Sequence, residues 1–359
     1  MNAFPVLAEI CRRLVEQAAF FTDRELVLAG SRIRVCCVDF DPPGLMFASI
    51  SNLLSGEEVR ETGSPANKED RAQSPETFYC ISRPSAELKA VLPEEFSGKN
   101  GRILYSGEEG RYAVSAEFGF FSLYERAGNA TYIWICPDMH ALDSFVSHPF
   151  HMELGWWALR NGLLFLHSAA VGAGGKGVLI SGAGGSGKST LAMTSYLAGM
   201  SLLSDDYLLV RNELKPTAER IYSTAYLKSD MLAKLPELEK AVVWTCRERD
   251  KHLVGLDLCA GTVADTLPLN AIVLPDIAHA RTPQIIRNPD IRTRIPLIAS
   301  TSYQNRELKN REVFMKMMHL LRSIPAYDFL LTDDLRANAD YLADWLEGRT
   351  EEDGEWAKK

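Results

Sequence analysis

One stretch constrains this chain more than any other. Gly182-Ala183-Gly184-Gly185-Ser186-Gly187-Lys188-Ser189-Thr190 satisfies G-x-x-x-x-G-K-[ST], and each position has a physical task. The glycines permit positive φ and let successive N–H groups converge on phosphate oxygens. Lys188 brings a charge for the outer phosphates, and the Ser189 hydroxyl suits Mg²⁺. Chance supplies such a pattern about once in a hundred chains of this length. Here it follows an apolar strand, Gly177-Val178-Leu179-Ile180-Ser181, and opens a predicted helix from Gly187 to about Leu197. That is the setting a nucleotide phosphate site requires.

Gly199 closes that helix, and Met200 to Leu203 read as the next strand, ending at Ser204-Asp205-Asp206. A strand parallel to the first delivers its carboxyl end to the edge that holds the phosphate loop. Asp205 and Asp206 are therefore expected beside the phosphates. One carboxylate would hold Mg²⁺ and the other accept a proton from an attacking hydroxyl. His167 lies 21 residues before Lys188, in an apolar strand from Leu163 to Val171 that His167 and Ser168 interrupt. Taken alone, such a histidine is a satisfied strand residue.

Composition narrows the function classes. The 359 residues carry a formal net charge of −8, which argues against nucleic-acid backbones and against a basic membrane-surface protein. No apolar run is long enough to span a bilayer. The first residues lack the form of a secretory signal. The seven cysteines have neither CxxC nor zinc-ligand spacing, so buried, reduced thiols and a cytoplasmic location are expected.

The patterning divides the chain into residues 1–150, a mostly antiparallel β domain behind one helix (Pro5 to Phe21), and 151–349, an α/β domain. Within the first, 55–76 is polar and reads as a flexible insertion. Residues 350–359 read as an acidic, solvated tail.

The ordered set His167-Ser168-Ala169-Ala170-Val171, the phosphate loop, and Leu202-Leu203-Ser204-Asp205-Asp206 resembles the HPr kinase/phosphorylase family. The match covers about 45 residues, with a weaker likeness at Leu320 to Leu330. The resemblance implies a P-loop kinase domain related to phosphoenolpyruvate carboxykinase, using ATP and Mg²⁺ to phosphorylate a serine. It implies that Asp205 is the general base, that His167 flanks the reacting hydroxyl, and that Asp206 holds metal with Ser189. The family's Ile-Arg-Gly-Leu-Gly segment is absent; Tyr222 to Leu235 stands there instead. The layout looks closer to HPr-kinase-like proteins of lasso-peptide clusters, which implies a serine of a precursor peptide as acceptor. His167 is expected to hydrogen-bond Asp205 and hold its rotamer.

Lys228, Arg247, Arg249 and Lys251 offer a further cation for the transferring phosphate. Lys251 is preferred, from its likeness to a lysine of the related kinases. Asp276 ends a Walker-B-like run and could compete with Asp206 for metal, although a plain strand end suits it better. Trp156-Trp157 and the run Tyr303 to Arg322 read as packing. The acceptor stays open between a lasso-type precursor, an HPr-like protein and a small metabolite. A nucleotide-binding module without transfer also remains, and so does homo-oligomerisation.

Overall fold

The computed structural model describes residues 3–40, 47–63, 76–93, 96, 103–115, 119–138, 145–247, 249–288 and 311–349. Residues 64–75 of the expected insertion, the stretch 303–310 and the tail 350–359 lie outside these. The chain is mixed α/β and divides into two compact units, Met1–Glu153 and Leu154–Lys359.

The first unit carries an eight-stranded sheet, ordered β3-β1-β2-β4-β8-β7-β6-β5. Its strands are β1 (Phe20–Leu28), β2 (Ser31–Val38), β3 (Leu54–Thr62), β4 (Glu76–Ser82), β5 (Ile103–Ser106), β6 (Gly110–Ser115), β7 (Phe120–Glu125) and β8 (Ala130–Ile135). The β2–β4 and β4–β8 pairs are parallel; the others are antiparallel. The helix Phe4–Glu16 buries Phe4, Leu7, Cys11 and Val15 in a core with Tyr79, Leu123 and Trp134. Each such side chain contributes about 1.5–3 kcal/mol through burial.

Two expectations are corrected in this unit. The leading helix stops at Glu16, not Phe21. The helical spacing continues to Ala18, but Phe20-Phe21-Thr22 favour a pleated surface and pair with β2 and β3. The expected insertion begins as a strand: Leu54–Thr62 forms β3, with Leu54 opposite Leu26 and Thr62 opposite Phe20. Polar composition concealed it because β3 is the sheet's edge, where one flank and much of each face meet water.

The second unit is built on a nine-stranded sheet. Its strands are β9 (Leu164–His167), β10 (Ala169–Ala173), β11 (Lys176–Ile180), β12 (Ser201–Ser204), β13 (Tyr207–Arg211), β14 (Thr217–Arg220), β18 (Thr266–Asp276), β19 (Gln284–Arg287) and β20 (Ala326–Leu330). The long β18 is the spine. Its carboxyl-terminal half runs parallel to both β11 and β20, and its first residues pair with β14. A separate three-stranded sheet, ordered β15-β17-β16, contains β15 (Thr224–Lys228), β16 (Val242–Cys246) and β17 (Lys251–Gly255).

The helix Lys188–Leu197 buries Leu191, Ala192, Met193 and Tyr196 against Val178, Ile180, Val273, Phe329 and Trp345. The helix Leu335–Glu347 packs on the same core. Asp334 caps it by accepting from Ala337 N at 3.0 Å, and Gly348 ends it at φ 77°. The helix His151–Arg160 contains Trp156 and Trp157, both buried. In the helix Arg311–Ser323, Met317, Leu320 and Leu321 are buried, whereas Met315 faces solvent. All seven cysteines are free; six are buried and Cys259 is half-buried. Among the described residues, no helix is long and apolar enough to cross a membrane.

Candidate active site

The phosphate-loop sequence leaves β11 and enters the helix Lys188–Leu197. Its root is fixed on two sides. Ser181 N donates to Val273 O of β18 at 3.0 Å, and the Ser168 and Ser181 hydroxyls meet at 3.1 Å. Two glycines are required by geometry. A Cβ on Gly182 would lie 2.7 Å from Ser186 Oγ. Gly187 stands at φ 95°, and its Cβ would crowd Leu331, so only glycine turns the loop into the helix without strain.

Ala183, Gly184 and Gly185 form the exposed rim of the loop. The loop lysine is buried rather than solvent-facing. Lys188 is 8% exposed, and its Nζ donates to Gly182 O at 2.9 Å and Ala183 O at 3.0 Å. Burial lowers its pKa, and the charge of Asp206 opposes that shift. Ser189 and Thr190 are half-buried on the first helical turn. Ser186 Oγ is buried without a hydrogen-bond partner, a costly state for a hydroxyl. A loop with an exposed rim, an ammonium folded over its carbonyls and an orphan hydroxyl fits a chain of phosphates.

The run 163–171 is not one strand. It breaks at Ser168: β9 pairs with β13, while β10 pairs with β11 and β12. The chain from β12 to β13 switches partners at the same level, through Asp205 and Asp206. Tyr207 lies opposite His167, and Ser204 opposite Ala170. Ser204 shapes the bend: its Oγ donates to Tyr207 O at 2.8 Å and accepts from Asp206 N at 3.2 Å. The carboxylate pair and His167 thus meet where neighbouring strands part, and backbone polar groups there need side-chain partners.

His167 contacts Asp206, not Asp205 as expected: its Nε2 meets Asp206 Oδ1. The register explains this. His167 sits directly opposite Tyr207 and stacks on its ring at 4.7 Å, which aims the imidazole at the adjacent Asp206. Asp205 turns the other way, into the protein, where it is 3% exposed. Its Oδ2 accepts the backbone N–H of Tyr226 at 3.3 Å. Burial, and then the charge of Asp206, push its carboxyl up to about 7; the Tyr226 N–H and Lys251 oppose that rise. Lys251 stands over the Tyr226 ring, with Nζ 4.3 Å from the centroid.

Lys188, Asp205, Asp206, His167 and Lys251 are therefore brought together. Asp276 ends β18 at the same sheet edge as the loop, with its side chain exposed; its backbone carbonyl accepts from Leu331 N at 2.8 Å. Arg247 and Arg249 lie exposed on the turn between β16 and β17. Among the described residues, no three His, Cys, Asp or Glu side chains are grouped to hold a metal. A Mg²⁺ that takes one hydroxyl, one carboxylate, phosphate oxygens and water needs no such group. Ser189 and Asp206 fit that role. Tyr226, Ser168 and Ser204 are missing from the sequence-based site. Ser168 and Ser204 lie inside the motif segments without a task of their own, Tyr226 lies outside them, and the contacts of all three form only on folding.

The raised Asp205 carboxyl has a consequence for stability without nucleotide or metal. Its folded value, about 7, exceeds the ordinary 3.8. The neutral form is thus favoured in the fold, and stability falls as pH rises from 3.8 through about 7. Asp205→Asn removes that dependence. Chemical denaturation of metal-free protein should find the variant more stable than wild type, by on the order of a few kcal/mol at about pH 8 and by less at about pH 5. A difference independent of pH would contradict the assignment.

A comparison of the chain with protein-family models and with curated proteins finds no match.

Proposed function

We propose that the chain is an ATP- and Mg²⁺-dependent serine kinase of the HPr-kinase-like P-loop type, acting on a peptide or protein. The observation that carries this reading is the buried Asp205 beside Asp206, in one site with the lysine of a phosphate loop. A module that only bound nucleotide would not need a sequestered carboxylate there. A general base serves best with a pKa near the working pH, and Asp205 has been raised toward it.

Each residue then has a task. The loop N–H groups from Gly182 to Gly187 cradle the phosphates, and Lys188 exchanges its loop carbonyls for phosphate oxygens. Mg²⁺, held by Ser189 and Asp206, would neutralise phosphate charge. Asp205 accepts the proton of the serine hydroxyl as its oxygen bonds to the γ-phosphorus. The bond from that phosphorus to the bridging oxygen breaks, and ADP carries the electron pair away. Lys251 offsets charge on the transferring group. His167 positions Asp206 and touches no reacting atom. A precursor-type peptide with an acceptor serine fits this reading, because an extended chain can deliver a hydroxyl to a recessed base.

The His167–Asp206 contact gives a specific test. His167→Ala should raise the Mg²⁺ concentration needed for half-maximal transfer and reduce kcat less than Asp205→Asn does. His167→Ala and Asp206→Asn should be non-additive, as touching residues are, while His167→Ala and Asp205→Asn should come closer to additivity. The opposite pattern would return His167 to Asp205. The reading as a whole is tested by transfer of labelled γ-phosphate from ATP to serine peptides.

A further inference from the structure

A feature of the three-stranded sheet lies outside the tasks given so far. In the β15–β17 ladder, Tyr226 stands opposite Leu253, and Lys228 directly opposite Lys251. Tyr226 gives its N–H to Asp205, so Tyr226–Leu253 is a non-hydrogen-bonded pair. Lys228–Lys251, one period of two residues further on, is another. In such pairs the Cα atoms approach to about 4.5 Å and the side chains lie closest. The two lysine side chains thus leave neighbouring positions on the face that carries the Tyr226 ring. Like charges directly opposite on a ladder are destabilising. Among the described residues, neither lysine makes an ion pair with a carboxylate; Lys251 has the Tyr226 ring and the more distant charge of Asp205. Lys228 is exposed and Lys251 half-buried. On a chain of net charge −8, this is a pair of neighbouring cations, with Asp250 beside them taking the Ser229 hydroxyl. The pair adjoins the buried base through one residue, Tyr226.

We propose that Lys228 and Lys251 form a site for an anionic group, a carboxylate or a phosphate, carried by the acceptor peptide beside its serine. The proposal rests on the kinase reading and deepens it: the acceptor is a peptide serine with acidic flanks. Lys251 faces the reacting centre and Lys228 lies farther from Tyr226 along β15, so the anion bridges them from the exposed side. It relieves their repulsion and fixes the register in which the serine meets Asp205. Lys228 then determines specificity without touching a reacting atom.

The test uses the full chain and three fluorescein-labelled peptides, each with one central serine. One is flanked by aspartates, one by phosphoserine and one by lysines. Fluorescence anisotropy reads binding, and label from γ-phosphate reads transfer. Wild type should bind an anionic peptide at least about tenfold more tightly than the lysine peptide, and the aspartate and phosphoserine arms identify which anion is preferred. Lys228→Gln should remove most of that preference, and Lys228→Glu should invert it. Equal binding of all three peptides, or an unchanged preference in Lys228→Glu, would overturn the proposal. Discrimination in binding without transfer to any peptide would leave the anion site standing and remove the kinase reading. Transfer indifferent to flanking charge would do the reverse.

Discussion

Lys188→Ala is expected to abolish measurable Mg·ATP turnover, a loss of about 10²-fold or more, while the chain stays folded. The ammonium is the one mobile positive charge on the loop, and it is held in place by Gly182 O and Ala183 O. Both carbonyls belong to the loop, so removing the amine loosens the loop and leaves the sheet intact. The surrounding helix is anchored independently by Leu191, Met193 and Tyr196 in the core. Circular dichroism should match wild type, and ATP affinity should fall. Full turnover in Lys188→Ala would remove the phosphate site from the account. Lys188→Arg should not rescue it, because a planar guanidinium cannot fit where a compact ammonium meets two carbonyls.

Asp205→Asn is the second large effect. The substitution keeps the shape and still accepts the Tyr226 N–H, but it removes the proton acceptor. Transfer to serine should fall by roughly 10²-fold or more, with ATP affinity within a few-fold of wild type. The separation matters: a loss in kcat without a loss in ATP binding marks a group used only in the transition state. Asp206→Asn should differ, since Asp206 faces Lys188 and His167, and its loss should appear as weaker Mg²⁺ binding, with more Mg²⁺ needed for half-maximal transfer. Asp205→Asn with full activity would return Asp276, exposed at the end of β18, as the better acid.

The local part of the site was legible in the sequence. The strand, glycine loop and helix from Lys176 to Leu197 are one continuous segment whose residue types fix its backbone. The Asp pair was legible as a strand end. The partner of His167 was not, because it depends on β9 and β13 pairing in the register that sets His167 opposite Tyr207. The interruption at His167 and Ser168 was legible, but not that the two halves take different partners, which pairing alone decides. Tyr226 reaches Asp205 across 21 residues of sequence, and its part is played by a backbone N–H, which no residue type advertises. In the first unit, Phe120–Glu125 forms β7, ahead of the turn residues Gly128-Asn129. The alternation of Phe121 and Leu123, both buried in the core, was the available sign.

The central claim is that Asp205 takes a proton from a serine hydroxyl as phosphate arrives from ATP on the Lys188 loop. The most direct measurement is single-turnover transfer of labelled γ-phosphate to a serine peptide, with wild type and Asp205→Asn each saturated with Mg·ATP. Wild type should yield labelled phosphoserine and the variant should label roughly 10²-fold more slowly, with equal nucleotide occupancy in both. Equal labelling rates in the two proteins, at equal occupancy, would contradict it.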